Sequence, residues 1–210
     1  MIQHNSFEND VYEFILGKIL KGDYHAGQRV NIDELKEETG ASATPILGAL
    51  RRLVYGGLLE SSSRNKGYFI PKFTKEDLYE VKVALHFMAL AACVKICRME
   101  SVDNIVAKLQ PLADITMAVS KRKKYMEYME VDQQFHNEIV RSIDSSGRIL
   151  EIYSNLSNQY NCIRKILQPE LVESMDISTP HLHQEYITAI KNQNIDRIYE
   201  IVMMELAEEF

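Results

Sequence analysis

Closely spaced glycine and capping residues are the feature of this sequence that most restricts its fold, because they divide its N-terminal part into short elements. Apolar residues from Val11 to Leu20 recur with helical spacing and predict a first helix. Residues 31–34 read Asn-Ile-Asp-Glu, a capping residue followed three positions later by Glu, which predicts the start of a second helix. Gly40 is a typical residue to end it.

A third helix and a β-hairpin are predicted next. Ser42 can cap the helix, and Pro45 falls in its first turn, where a missing N–H does no harm. Two short apolar segments, 58–60 and 68–70, flank a polar tip that contains glycine, which is typical of a hairpin. Three helices followed by a hairpin is the order of a winged helix-turn-helix.

The rest of the chain carries no further strand signal. Thr74 and Asp77 open a helix, and five or six helices are expected in all, with breaks near residues 100–103, 120–124, 144–147, 168–180 and 192–194. The expected fold class is therefore mostly α. A winged helix-turn-helix of three helices plus a β-hairpin occupies residues 1–72, and an all-α antiparallel helical bundle occupies residues 73–210.

Charge and hydropathy exclude several classes of protein. The net charge of -6 is not that of a basic nucleic-acid-binding chain, but residues 1–72 hold nine basic and nine acidic side chains, so the deficit lies in the remainder. No apolar run approaches the roughly 20 residues of a membrane span, and the N-terminus lacks the basic flank and apolar core of a signal peptide. A cytoplasmic protein without a membrane partner is expected.

The three cysteines are too few and too scattered for a secreted disulfide framework. Cys93 and Cys97 are four residues apart in an apolar run, so on a helix they share a face. We interpret them as buried, inert thiols.

Several residues of the N-terminal domain are candidates to contact DNA. A helix that enters the major groove needs polar residues near its N-terminus and basic groups on the flanking phosphates. The candidates are Arg29, Ser42, Thr44, Arg51, Arg52, Arg64, Lys66 and Gly67. Each charge taken alone is better explained as part of a solvated surface, and it is the order of the helices that favours DNA contact.

These motifs resemble those of the GntR family of transcription regulators. Residues 22–30, Gly-Asp-Tyr-His-Ala-Gly-Gln-Arg-Val, resemble the turn G-x-x-x-P-G-x-x-L. Residues 40–59 resemble the recognition helix V-S-R-T-P-V-R-E-A-L-R-R-L-x-x-x-G-L, and residues 67–70 resemble the wing's closing G-x-x-V. The resemblance implies a ligand-responsive regulator that binds DNA as a homodimer at a two-fold operator.

The recognition helix departs from the family pattern. Ala43 and Leu47 stand where two arginines are typical, and Gly48 stands where the family has Glu. Arginine bound to guanine is the commonest specific base contact, worth about 1–3 kcal/mol of discrimination. The alternative hypothesis is therefore a metal- or small-molecule-binding protein with weakened or lost specific DNA recognition.

A candidate metal site lies in the C-terminal part. Asp132 and His136 are four residues apart, so on a helix they lie on one face and can share a metal ion. His183 lies on a later helix, and Glu205 lies on the last one. Read individually, these side chains are equally compatible with hydrogen-bonded core residues or solvated charges.

Residues 74–210 resemble the FCD ligand-binding domain of the FadR-type branch of the GntR family. Residues 80–86 resemble E-V-R-x-x-L-E, residues 132–136 resemble D-x-x-F-H, and residues 183–190 resemble H-x-x-I-x-x-A-I. The resemblance implies that an Asp and three His residues hold a divalent metal that helps to bind a small carboxylic acid. In this sequence the fourth His position falls on Glu205.

The resemblance thus implies a metal centre built from Asp132, His136, His183 and Glu205. Such donors suit zinc, manganese or nickel, and a second carboxylate favours harder cations and disfavours an acidic effector. A site without metal is the alternative. Lys82 and His86, where the family has Arg and Glu, are candidates to line the effector cavity. No nucleophile with supporting spacing and no phosphate-binding loop is present, so we do not expect an enzyme.

Overall fold

The computed structural model describes residues 4–62, 67–122, 125–167 and 181–207. Within these ranges it contains nine α-helices and one two-stranded sheet: α1 (His4–Lys21), α2 (Ile32–Thr39), α3 (Ala43–Tyr55), β1 (Glu60–Ser62), β2 (Gly67–Phe69), α4 (Lys75–Ile96), α5 (Asp103–Lys121), α6 (Tyr125–Arg141), α7 (Arg148–Leu167), α8 (Leu182–Lys191) and α9 (Ile195–Ala207). The predicted fold class, three helices and a hairpin followed by a helical domain, is confirmed.

The chain divides into two compact units. The first unit consists of Met1–Leu78 and Asn158–Pro169. The second unit consists of Tyr79–Ser157 and Glu170–Phe210. The first unit therefore holds α1 to α3, both strands and the C-terminal part of α7, whereas the second holds most of α4, α5, α6, the N-terminal part of α7, α8 and α9. The assignment of residues 1–72 and 73–210 as functional domains stays a prediction.

Local signals set the ends of α2 and α3. The Asn31 side chain accepts a hydrogen bond from the Asp33 N–H at 3.0 Å and donates one to the Glu34 carboxylate at 2.9 Å, so Glu34 supports the cap through the Asn31 amide. Gly40 ends α2 in the left-handed conformation with φ 67°. Ser42 takes the N-cap position of α3 with extended backbone, although its side chain makes no capping hydrogen bond to a described residue.

The core of the first unit forms where the apolar face of α3 meets α1. Ile46, Leu50 and Leu53 are fully buried and cluster with Ile15 of α1. Cys162 of α7 belongs to the same cluster, which is how a distant segment joins this unit. Burying one Leu or Ile is worth about 1.5–3 kcal/mol, so these contacts fix the orientation of α3.

The paired residues of the hairpin lie closer to its tip than the sequence predicts. β1 pairs antiparallel with β2, with Glu60 opposite Phe69. Leu58 and Leu59 were expected in the first strand, but their N–H groups donate to the Leu53 carbonyl at 2.9 and 3.2 Å. The turn that closes α3 therefore uses these two residues, and the strand begins only after them.

The later helices follow the predicted breaks. Thr74 caps α4, since its hydroxyl oxygen accepts a hydrogen bond from the Asp77 N–H at 3.2 Å and its own N–H donates to the Asp77 carboxylate at 2.7 Å. Gaps between helices contain residues 100–102, 142–147 and 192–194, as expected, while the break predicted over 168–180 lies outside the described residues. Cys93 and Cys97 are buried and free, as expected. No helix in the described part of the chain is long and apolar enough to cross a membrane.

Two glycines with positive φ provide a test of the packing in the first unit. Gly40 and Gly57 have φ values of 67° and 70°. A Cβ at Gly40 would meet no described atom within 4 Å, whereas one at Gly57 would lie 2.5 Å from Nε2 of Gln159 on α7. Gly40→Ala should therefore lower the free energy of unfolding by about 1 kcal/mol through backbone strain alone. Gly57→Ala should lower it further, because Gln159 must also move.

Urea denaturation of the two variants measures this difference. Adding Gln159→Ala to the Gly57→Ala variant should remove the steric part and bring the loss closer to that of Gly40→Ala. Equal losses for the two single variants would contradict the described contact between Gly57 and α7.

Candidate metal centre and nucleic-acid interface

Three of the four predicted metal ligands meet inside the second unit. α6 carries Asp132 and His136 one turn apart, and α8 carries His183. Asp132 Oδ1 lies 3.1 Å from His183 Nε2 and 3.9 Å from His136 Nε2. One ligand atom from each residue lies within 4.8 Å of those of the other two.

These separations are close to those of atoms bound to one ion. Metal bonds of about 2.0–2.2 Å to nitrogen or oxygen place neighbouring ligands roughly 3.0–3.5 Å apart in tetrahedral or octahedral geometry. The separation between Asp132 and His183 falls in this range. The separation between Asp132 and His136 requires only a small approach of the imidazole.

Aromatic packing holds the two imidazoles in place. The fully buried Phe135 ring stacks on His183 with centroids 4.0 Å apart and an interplanar angle of 19°. The same ring meets His136 in an edge-on arrangement at 5.5 Å, and Tyr186 meets His136 edge-on at 5.7 Å. The segment Asp132–His136 therefore supplies two ligand atoms and the apolar wall beside them.

Each imidazole has one nitrogen that the protein does not satisfy. Nδ1 of His136 and Nδ1 of His183 are buried and have no hydrogen-bond partner among the described residues. Burial lowers the pKa of His136 to about 4, although the Asp132 carboxylate opposes the shift. A neutral imidazole has a lone pair on one nitrogen only, and Nε2 is the nitrogen that faces Asp132 in both histidines. One carboxylate and two imidazoles therefore fit a divalent ion such as zinc, manganese or nickel.

Glu205 is not part of this set of three. Its Oε2 accepts a hydrogen bond from the Tyr186 hydroxyl at 2.6 Å and lies 3.5 Å from His86 Nε2. The physical reason is that the Tyr186 hydroxyl holds the carboxylate where it faces α4. Burial, with the Glu205 carboxylate, raises the pKa of Tyr186 well above its usual value, so the hydroxyl remains a donor. Metal ligation by Glu205 stays a prediction.

Lys82 and His86 both lie on α4 in the interior of the second unit. Lys82 is only 3% exposed. His86 Nδ1 lies 2.7 Å from the Lys82 carbonyl oxygen. Burial lowers the pKa of His86, while the hydrogen bond to the Lys82 carbonyl opposes that shift. Effector contact by these two residues stays a prediction.

Sequence reasoning missed two aromatic residues that shape the site. Phe135 and Tyr186 lie within the motifs that supply the ligands, at positions that read as ordinary apolar core residues. Their packing against imidazoles and the hydrogen bond from Tyr186 to Glu205 depend on how α6, α8 and α9 approach one another. The sequence carried a signal for burial at these positions, but not for these partners.

The residues predicted to contact DNA differ in whether they also make contacts within the first unit. Arg52 donates to Asn9 Oδ1 at 3.3 Å, and its guanidinium lies 4.1 Å from the centre of the Tyr12 ring. It therefore links α3 to α1. The remaining exposed candidates on or just before α3 are Ser42, Thr44 and Arg51.

Two further residues predicted to contact DNA, Arg29 and Gly67, lie at the hairpin. Arg29 pairs with Phe69 in an isolated antiparallel bridge, and its Nε would lie 2.9 Å from a Cβ built on Gly67. Arg29 and Gly67 therefore lie side by side at the hairpin. Arg64 and Lys66 lie outside the described residues.

The space beside Gly48 on α3 is filled by a side chain from another helix. A Cβ at this position would lie 2.2 Å from a carboxylate oxygen of Glu8 on α1. A side chain here would require the end of the Glu8 side chain to move, and Glu8 supplies a carboxylate where the family pattern has Glu on α3 itself. Sequence spacing gave no sign of this, because the two residues belong to different helices.

Two family models match the chain. The model described as "Bacterial regulatory proteins, gntR family" covers residues 7–70, and the FCD domain model covers residues 77–207. The uncharacterized HTH-type transcriptional regulator YdhC of Bacillus subtilis (strain 168) is 26% identical over 61% of this chain and 57% of its own length. The Nta operon transcriptional regulator of Aminobacter aminovorans is 27% identical over 68% of this chain and 66% of its own.

The aligned part of this chain thus spans less than two thirds of each relative. Among solved structures, E. coli McbR/YncC superposes with a TM-score of 0.74 at 19% identity, covering 98% of this chain and 94% of that one, which shows a shared fold. Because the FCD model alone covers more than half of the residues, the chain belongs to the gntR family of bacterial regulatory proteins that carry an FCD domain, a family of transcription regulators rather than enzymes.

Proposed function

We propose that this protein is a ligand-responsive, DNA-binding regulator whose helical unit binds a small carboxylate through a divalent metal. The observation that carries the proposal is the convergence of half-buried Asp132 and His136 with buried His183. Family membership makes a DNA-binding unit and an effector-binding unit in one chain the expected arrangement.

The charges around this point suit a carboxylate effector bound to metal. Asp132 offsets one of the two positive charges of the ion, while imidazoles bind a metal in their neutral form and offset none. The ion therefore keeps a net positive charge toward a carboxylate. Lys82, buried on α4, adds a cation to the same unit, although a Lys ammonium cannot grip a carboxylate in the two-point manner of Arg.

DNA contact is assigned to the exposed face of α3 and to the hairpin. Thr44 and Arg51 are separated by two helical turns and are both exposed, so the major-groove face of α3 includes them. The proposed active form is a homodimer at a two-fold operator, in which effector binding alters the placement of the two DNA-binding units. The protein then works in the cytoplasm.

A second candidate function is a metal- or small-molecule-binding protein that has lost specific DNA recognition. Ala43 and Leu47 favour it because they lack the guanidinium groups of the family pattern, and Glu8 adds negative charge beside α3. Restoring Arg at both positions should then create DNA affinity that the natural chain lacks. A specific gel shift with the natural chain would exclude this alternative.

Neighbouring arginines on α3 provide a matched test of the DNA interface. Arg51→Ala should weaken binding to DNA from the protein's own upstream region, and should reduce the slope of log K against log salt by about 1, because one phosphate contact is lost. Arg52→Ala should instead lower thermal stability, since it removes the contacts with Asn9 and Tyr12.

Gel shifts at several salt concentrations and thermal melts separate the two effects. If Arg51→Ala leaves both affinity and salt slope unchanged, α3 does not present this face to DNA. If the wild-type chain shows no specific shift at low salt, with or without added metal and small carboxylates, the regulator function itself is wrong.

Metal binding should stabilise the folded protein through Asp132. At a free metal concentration about 100 times the dissociation constant, the free energy of unfolding should rise by about 2.7 kcal/mol. Asp132→Ala should abolish most of this gain, whereas Asp114→Asn, a change at an exposed acid of α5, should keep it. Denaturation with zinc, nickel or a chelator measures the effect, and an equal gain in Asp132→Ala would rule out the proposed site.

A further inference from the structure

His86 presents one fixed nitrogen toward α9. Its Nδ1 lies 2.7 Å from the Lys82 carbonyl oxygen, and a carbonyl can only accept, so Nδ1 carries the proton and donates. A backbone carbonyl bonded to one ring nitrogen is how metal-binding histidines are commonly oriented, because it fixes the tautomer and frees the other nitrogen. Nε2 of His86 is that other nitrogen.

Nε2 of His86 faces a second acceptor. Glu205 Oε2 lies 3.5 Å away and already accepts the Tyr186 hydroxyl at 2.6 Å. In the neutral imidazole Nε2 bears a lone pair, so two electron-rich atoms face each other inside the unit. A cation bound by both would convert this repulsion into attraction. Their separation is at the upper end of the roughly 3.0–3.5 Å expected for two ligands of one ion.

This pair borders the cluster of three predicted ligands. The Tyr186 hydroxyl donates to Glu205 at 2.6 Å, and the Tyr186 ring packs edge-on against His136 at 5.7 Å, so one aromatic side chain connects this pair to the cluster. All five side chains belong to the second unit. α4 and α9 therefore add two donor atoms near the three that α6 and α8 supply.

We propose that His86 is a metal ligand, and that its Nε2 and a Glu205 oxygen bind the same cation as the three donors of α6 and α8. His86 and Glu205 lie outside the group of three whose ligand atoms are within 4.8 Å of one another, so a shared ion requires side-chain rotations that bring all five atoms together. This inference rests on the proposed metal centre and deepens it. Five nitrogen and oxygen donors favour a six-coordinate ion such as nickel or manganese over tetrahedral zinc, and the sixth position is then left for one further oxygen ligand.

Nickel titration of the full-length protein tests the role of His86. Isothermal titration calorimetry with Ni²⁺ compares the wild type with His86→Gln, which removes the imidazole but keeps a neutral polar side chain. The dissociation constant should rise at least about tenfold, since even changes to residues that only orient ligands cost 10–100-fold in affinity. His25→Gln, at an exposed histidine of the first unit, is the matched control and should bind like the wild type.

The outcomes separate this inference from the proposed function. If the wild type binds Ni²⁺ and His86→Gln binds it equally well, His86 is not a ligand, while the centre at Asp132, His136 and His183 stands. If the wild type binds no Ni²⁺, both the proposed centre and the role of His86 are wrong.

A second measurement does not depend on whether the variant folds. In the Co²⁺-loaded wild type, each coordinated imidazole gives a hyperfine-shifted, exchangeable N–H signal in the proton NMR spectrum. Three such signals are expected, and that of His86 should exchange slowly because its Nδ1–H is bonded to the Lys82 carbonyl. Only two signals would overturn the proposal.

Discussion

The contact between the Asp132 carboxylate and the His183 imidazole, 3.1 Å apart, is the interaction on which the interior of the second unit depends. Removing a carboxylate from water costs several kcal/mol, and only close partners offset that cost. Phe135 stacked on His183 keeps the surroundings apolar, which strengthens each remaining electrostatic interaction. A cation at this point would engage helices that are distant in sequence, so its binding energy would stabilise one arrangement of the unit over others.

In the first unit, the recognition helix serves packing and DNA contact with different faces. Leu50 and Leu53 are buried against the core, whereas Arg51 and Arg52 are both exposed and Arg52 contacts α1. The space beside Gly48 is filled by the Glu8 carboxylate of α1. We propose that DNA binding here relies less on arginine contacts to bases than in the family pattern, and more on the hairpin and on phosphate contacts.

How far the sequence predicts the molecule depends on the range of the interactions. Asn31, Gly40 and Thr74 act on residues within a few positions, and the helix boundaries they predicted are confirmed. The start of the first strand depends on how the chain leaves α3, and it lies two residues later than the sequence predicted. At the site, the helical spacing of Asp132 and His136 was readable, and His183 followed from the family resemblance. The orientation of Glu205 depends on Tyr186, a contact between two helices that no local pattern encodes.

Anomalous diffraction from crystals grown with Ni²⁺ tests the central claim most directly, because it locates the ion rather than its effects. We expect one strong peak about 2.0–2.2 Å from an Asp132 oxygen and from Nε2 of both His136 and His183. Crystals that show no peak at these three residues, with Asp132 still paired directly to His183, would contradict the account.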